Sequence, residues 1–465
     1  MIPTAENREE PVEFDPFAGP EIDCTIPTTE AQREVLTAVE MGAEASCAYN
    51  ESITLELRGA LDRAALEAAV QQLVERHESL RSTLSANDLQ MVVSRSGGVT
   101  PEFIDLAPLD GAAQERELSA LAELDMTRPF DLRAGPLFRV RLIRLGPEHH
   151  WVRLTAHHVI CDGWSFGILM AELGALYNAI HLGTSMSLPD PVPFSRYAAA
   201  VLAFAGSREQ ETVERFWLEC FKGPLPRMDL PTDRPRTRRQ TFRGQRLDVE
   251  MPQTLVLGLR EAATQSGTTF VTTLLSAFEL LLHKLTRASE LVVGLPAAGQ
   301  SDQGMKHLVG HCVNLLALRS HVDPDRTFLE YLKDRRSGVL DAFENQRYTF
   351  GTLVRKLRVP REPGRVPLVP VVFNIDMNID DGVAFEGLTH RVISNPRRFE
   401  NFDLFLNATG SERQLVLEWS YKSDLFDEAT VRGWIQEFLR LAGRIAQAPG
   451  ATIEALLGDG PLTGG

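Results

Sequence analysis

The run His157-His158-Val159-Ile160-Cys161-Asp162-Gly163 places two imidazoles, a thiol, a carboxylate and a glycine at the end of an alternating apolar stretch. Counted at the period of a strand, Val152, Leu154, Ala156 and His158 share one face, and Arg153, Thr155 and His157 share the other. The two imidazoles must therefore point different ways and cannot share one role. His158, on the apolar side, is the expected reaction centre, because a neutral imidazole there can take a proton from an attacking amine or hydroxyl near neutral pH. Asp162 is expected to orient the turn by pairing with an arginine, and Gly163 to leave the approach to the base open. Zinc is a poor fit, since adjacent strand histidines diverge and no third ligand stands at helical spacing. A Cys161 nucleophile is a further option, set against the plainer reading of a small buried residue filling a turn. A histidine pair alone is weak information, as the neighbouring His149-His150 shows.

The elements that must position this run are legible nearby. Residues 52–58 (SITLELR) alternate as a half-buried strand, which Gly59 ends. Asp62 then reads as the N-cap of a helix carrying Leu66, Val70, Leu73, Val74 and His77. Alternation returns at Phe138, Val140 and Leu142 and again from Val152 to His158. A helix is expected over 165–180, with Phe166, Leu169, Leu173 and Leu176 on one stripe. The stretch 183–193, GTSMSLPDPVP, reads as a linker. Beyond it, helices are expected over 269–285 and 428–446, and strands over 291–295, 369–375, 402–406 and 415–421. The fold class is α/β in two lobes with mixed sheets: 24–182 with the histidine run, the linker 183–193, then 194–465. Residues 1–23 form an acidic segment that either packs Phe14 and Phe17 on the body or docks a partner. The absence of a regular βαβ metre and of a glycine-rich strand-to-helix turn argues against a nucleotide fold.

The chain of 465 residues is too long for one ordinary core. A formal net charge of −15 argues against a nucleic-acid groove and gives no attraction to anionic lipid, although Arg234, Arg236, Arg238 and Arg239 make a local basic patch. Cys24, Cys47, Cys161, Cys220 and Cys312 are scattered with no CxxC pair, which fits a reducing cytoplasm rather than a disulfide framework. The N-terminus has no apolar core for a signal peptide, and no apolar run reaches the roughly 18 residues of a membrane span. The expectation is a soluble cytoplasmic protein.

With the string AHHVICDGWS (156–165) the chain resembles the condensation domains of non-ribosomal peptide synthetases, within the chloramphenicol-acetyltransferase-like HHxxxDG superfamily. The resemblance covers nearly the whole chain. TTEAQREVLTA (28–38) and RHESLRSTL (76–84) precede the signature, and RPFDLRAGPLFRVRLIRL (128–145) leads to it. LPTDRPR (230–236), LVGHCVNLLALR (308–319), NQRYTFGTLV (345–354) and SDLFDEATV (423–431) follow in the family's order.

The resemblance implies two acetyltransferase-like lobes set in a V, with a tunnel that admits phosphopantetheine arms from a donor and an acceptor carrier protein. No cofactor of its own is implied, and a monomer is expected. In family terms His158 matches the catalytic second histidine, His157 and Asp162 match residues that hold the loop, and Gly163 matches the glycine beside the reacting centre. Trp164, Ser165 and Asn314 are the expected substrate-binding positions. Two departures stand out. Gln300 follows Gly299 where the family often has an arginine, so Asp162 needs another partner, with Arg319 and Arg365 as candidates. His311-Cys312-Val313-Asn314 replaces a commoner F-V-N and is expected to reshape the tunnel floor. The leading expectation is amide formation between carrier-bound substrates. An ester-forming enzyme with a hydroxyl acceptor, a non-catalytic recruitment domain and an epimerisation domain are the alternatives. The lead-in EFDPFAGPEI (13–22) resembles starts of condensation domains that follow polyketide modules.

Overall fold

Apolar residues that alternate along each strand line up across strands. In the computed structural model, which describes residues 21–185, 188–302, 304–411 and 414–458, strand Asn50–Arg58 runs antiparallel to His149–His157, pairing Leu55 with Val152 and Ile53 with Leu154. Strand Phe138–Gly146 lies on the other side, setting Leu142 against Val152 and Val140 against Leu154. The result is an apolar row across the sheet in which Leu55, Leu142 and Val152 are fully buried. Strand Glu102–Asp105 adds in parallel at one edge.

Two helices cover this face. Asp62 caps Arg63–Arg76 by accepting from Ala65 N at 3.0 Å, as the N-cap reading requires. Gly163–Leu182 lays Leu169 and Leu173 into the same core and ends at Gly183, whose φ of 62° supplies the left-handed turn. The opposite face, expected to be solvated, is buried as well. Helix Gly111–Thr127, not foreseen, sends Asp125 onto Arg141 and Arg153. Thr54 and Glu56 of the first strand are buried too, Glu56 with Arg58, His149 and Arg391 around its carboxylate. Alternation reports a change of side-chain type from face to face, and here the polar face is closed by paired charges.

The second half builds a six-stranded sheet in the order Val313–His321, Glu290–Ala298, Val371–Met377, Leu404–Gly410, Leu415–Lys422 and Gly244–Met251. Only Val371–Met377 is parallel to its neighbours. Helices Phe270–Thr286 and Glu428–Gln447 pack on it, with Phe278, Trp419 and Phe438 meeting edge to face. Each expected element of this half is present, its ends within about four residues of the expectation. No helix among the described residues is long and apolar enough to cross a membrane.

The two halves are not independent in their cores. Met305, Leu308, Val309, Cys312, Val383 and Phe385 complete the core of the first half. Strand Thr389–Ser394 forms the edge of the first sheet beside Asn50–Arg58. The crossing segment passes so close to helix Gly163–Leu182 that a Cβ on Gly174 would stand 2.5 Å from the Ala384 carbonyl oxygen. Most of the segment expected as an acidic leader, residues 1–20, lies outside the described residues.

Candidate active site

The histidine run begins where the central strand stops. Strand His149–His157 ends one residue early, but His158 N still donates to Tyr49 O at 2.8 Å, so the ladder carries His158 into place. A tight turn follows, with Ile160 N donating to His157 O at 3.0 Å. Asp162 then caps helix Gly163–Leu182 through Ser165 N at 2.9 Å.

Asp162 does more than cap, and its partner is not an arginine. Its carboxylate also accepts from Ser165 Oγ at 2.7 Å, from Cys312 N at 3.0 Å and from Gln300 Nε2 at 2.9 Å. Burial pushes this carboxyl above its ordinary value, while the donors from Ser165, Cys312 and Gln300 oppose that. Arg319 instead binds Glu290, and Arg365 binds Asp229 and Glu362. Gln300, noted in the sequence as a missing arginine, is itself the partner: an uncharged donor replaces a cation. The carboxylate thereby ties the signature turn of the first half to two segments of the second. Ser165 joins this tie rather than a ligand surface. It is fully buried, and its hydroxyl exchanges hydrogen bonds with Gly310 N and O.

The two imidazoles diverge. His157 is fully buried against Tyr49 and Phe130, and its Nδ1 accepts from Val159 N at 3.2 Å. Burial, with the neighbouring His158 and Arg139, lowers its pKa to about 3. It stays neutral and braces the turn. His158 keeps 18% of its side chain exposed, on the wall of a cavity of about 2410 Å³ lined by both halves of the chain. Its surroundings are more polar than the strand pattern alone implies. Nδ1 lies 3.0 Å from His311 Nδ1, and Nε2 lies 3.3 Å from Glu51 Oε1, which also pairs with Arg397. Burial and the two neighbouring imidazoles hold His311 well below the ordinary imidazole range.

Gly163 opens the helix at the cavity wall, and a Cβ there would stand 3.9 Å from Asp376 Oδ1 across the channel. Burial raises the Asp376 carboxyl to about 6, against a hydrogen bond from Asn374 and with help from Glu51 and Glu418. Trp164 borders the cavity, 41% exposed, with Nε1 donating to Lys306 O at 3.3 Å. Asn314 lies at the wall, but its amide is committed to backbone, donating to Gln346 O and Tyr348 O and accepting from Phe350 N. Cys161 is fully buried, and burial with the nearby Asp162 and Glu51 pushes its thiol well above the ordinary value. A thiolate nucleophile needs the opposite environment.

Glu51, His311 and Asp376 join the site from three distant segments. The only sequence signal near His311 was the departure of His311-Cys312-Val313-Asn314 from a commoner F-V-N. Glu51 and Asp376 gave none, because strand register and the approach of the second half place them.

The profile of the condensation domain matches residues 22–457. A component of the linear gramicidin synthase of Brevibacillus parabrevis is 35% identical over 435 residues, covering 90% of this chain and 8% of that protein. The chain thus spans a small part of the length of the curated relatives it matches. Among solved structures, the condensation domain of the monacolin K polyketide synthase MokA superposes with a TM-score of 0.82 at 20% identity, covering 93% of this chain and all of that one. The X-domain of teicoplanin biosynthesis, solved in complex with OxyB, superposes with a TM-score of 0.78 at 23% identity over 93% of this chain and 95% of its own. At these identities the structural likenesses speak to the fold alone.

Proposed function

The chain belongs to the condensation-domain family, and from that premise we propose that it forms an amide by moving an acyl group from one carrier-protein thioester to an amine held by a second carrier. The observation that carries this reading is the ring of His158. It is held by strand pairing, one edge open to a channel that both halves of the chain line.

In the proposed reaction the acceptor nitrogen attacks the thioester carbonyl carbon and the C–S bond breaks. The donor arm leaves as a thiolate, which takes up from His158 the proton the ring has received from the amine. His158 Nε2 receives the proton the amine loses, and Glu51, 3.3 Å away, stabilises the imidazolium. His157 and Asp162 hold the turn, Gly163 leaves room for the tetrahedral carbon, and Trp164 borders the approach. Asn314 acts on substrate through the backbone it clamps. Substrates arrive on phosphopantetheine arms, so the protein needs no cofactor of its own. The finer parts of the proposal are a monomer working in the cytoplasm, lobes at 24–182 and 194–465 joined by 183–193, and a polyketide-derived donor delivered with the help of residues 1–23.

Incubation of the purified chain with acyl-loaded donor carrier and aminoacyl-loaded acceptor carrier tests the reading by intact mass. Transfer of the acyl mass to the acceptor supports it. Transfer only to alcohols redirects it to ester formation. An inverted α-carbon with no transfer points to epimerisation, and binding without chemistry to a recruitment role.

A further inference from the structure

His311 opens the run that replaces the family's commoner F-V-N, and its ring meets the edge of His158. The centroids are 4.8 Å apart at 87°, with the two Nδ1 atoms at hydrogen-bond distance. Only one of those nitrogens can carry the shared proton. We propose that His311 is a positioning residue: it accepts a hydrogen bond from His158 Nδ1–H and so fixes His158 in the tautomer whose Nε2 lone pair faces the channel.

Two observations favour this direction. His311 is 4% exposed and its ring lies beside the backbone carbonyls of Ala31 and His158, so a neutral ring that donates to Ala31 through Nε2 keeps Nδ1 as an acceptor. The Glu51 oxygen near His158 Nε2 already accepts from Arg397, and at 3.3 Å it makes an ion-pair distance with no well-aligned hydrogen bond. That oxygen therefore does not demand a proton on Nε2 in the resting state. In the reverse arrangement His311 donates, His158 carries its proton on Nε2, and the lone pair points away from the channel. A proton gained by His158 then has no acceptor for Nδ1–H. The groups that face His158 are Glu51 and Tyr49 at the strand edge, His157 beside it, His311, and Asp376 across the channel, with Arg397 behind Glu51. Of these, His311 contacts Nδ1. The inference rests on the reading of His158 as the proton acceptor and goes beyond it by naming what sets that acceptor's tautomer.

Long-range proton–nitrogen NMR of the full chain, with His158 signals assigned by their loss in His158→Ala, reads the tautomer directly. The expected pattern is Nδ1–H in the wild type and in His311→Asn, whose carbonyl oxygen replaces the accepting nitrogen. His311→Leu should shift His158 toward Nε2–H and lower kcat/KM by about tenfold or more, with His311→Asn recovering most of the loss. A wild-type His158 found as Nε2–H overturns the inference, and that spectrum decides the matter even if His311→Leu does not fold. An unchanged tautomer in a folded His311→Leu chain also overturns it. Because the spectra need no substrate, a missing transfer product beside the expected tautomer counts against the proposed reaction and not against this assignment.

Discussion

Replacing Asp162 separates a cap from a clasp. Asp162→Ala removes the acceptor for Ser165 N, Cys312 N and the Gln300 amide, all buried. Ser165 Oγ is spared, because it also reaches Gly310 O at 3.1 Å. Each buried donor left without a partner costs about 1–3 kcal/mol, and with partial relief by water the total is about 3–6 kcal/mol. Asp162→Asn should be milder for a specific reason. Its oxygen can keep the two Ser165 donors, while its amide replaces the oxygen that served Cys312 N and Gln300. Gln300 can rotate its amide to offer Oε1, which has no partner in the wild type. Cys312 N cannot turn. One orphaned backbone donor remains, worth about 1–3 kcal/mol. Denaturant unfolding followed by tryptophan fluorescence should rank wild type above Asp162→Asn and Asp162→Ala last, with transfer activity falling in the same order. The reasoning fails if Asp162→Ala stays within about 1 kcal/mol of wild type, or if the two variants are equally unstable.

Other perturbations reach different parts of the molecule. His158→Ala should lower transfer by about a hundredfold or more with the fold intact by circular dichroism; a loss under about threefold would remove His158 from the mechanism. Glu34 accepts from Gly351 N at 2.8 Å across the halves, and burial lifts its carboxyl from 4.5 to about 7. The folded chain therefore holds this proton more tightly than the unfolded chain. That contribution to stability is lost as pH rises between 4.5 and about 7, at most about 3 kcal/mol. Glu34→Gln keeps the acceptor and should flatten that slope in melting temperature; an unchanged slope would show that Glu34 does not cause it. Gly174→Ala should destabilise the chain, although alanine usually helps a helix interior by about 1 kcal/mol, because its Cβ would stand 2.5 Å from Ala384 O. A raised melting temperature would mean that the crossing segment yields freely.

Periodicity carried the parts of the fold whose burial is one-sided. The stripe of Phe166, Leu169, Leu173 and Leu176 and the cap at Asp62 needed no partner to be read, since each follows from backbone geometry and side-chain type over a few residues. Helix Gly111–Thr127 escaped notice because its apolar pattern is weak and it docks largely through Asp125. The edge strand Thr389–Ser394 has no fully buried residue and pairs with a strand more than 300 residues away in sequence.

The site divides along the same line. His157, His158, Asp162 and Gly163 are one short segment, so strand parity and turn chemistry alone determine that the rings diverge and that the carboxylate caps the helix. Which groups the ring of His158 meets was decided only in three dimensions. Glu51 arrives by strand register, His311 and Gln300 by insertion of the second half against the first, and Asp376 by the approach of the second sheet. Local geometry propagates through a handful of bonds, whereas contacts between distant segments depend on how whole cores pack, and no short string of residues records that.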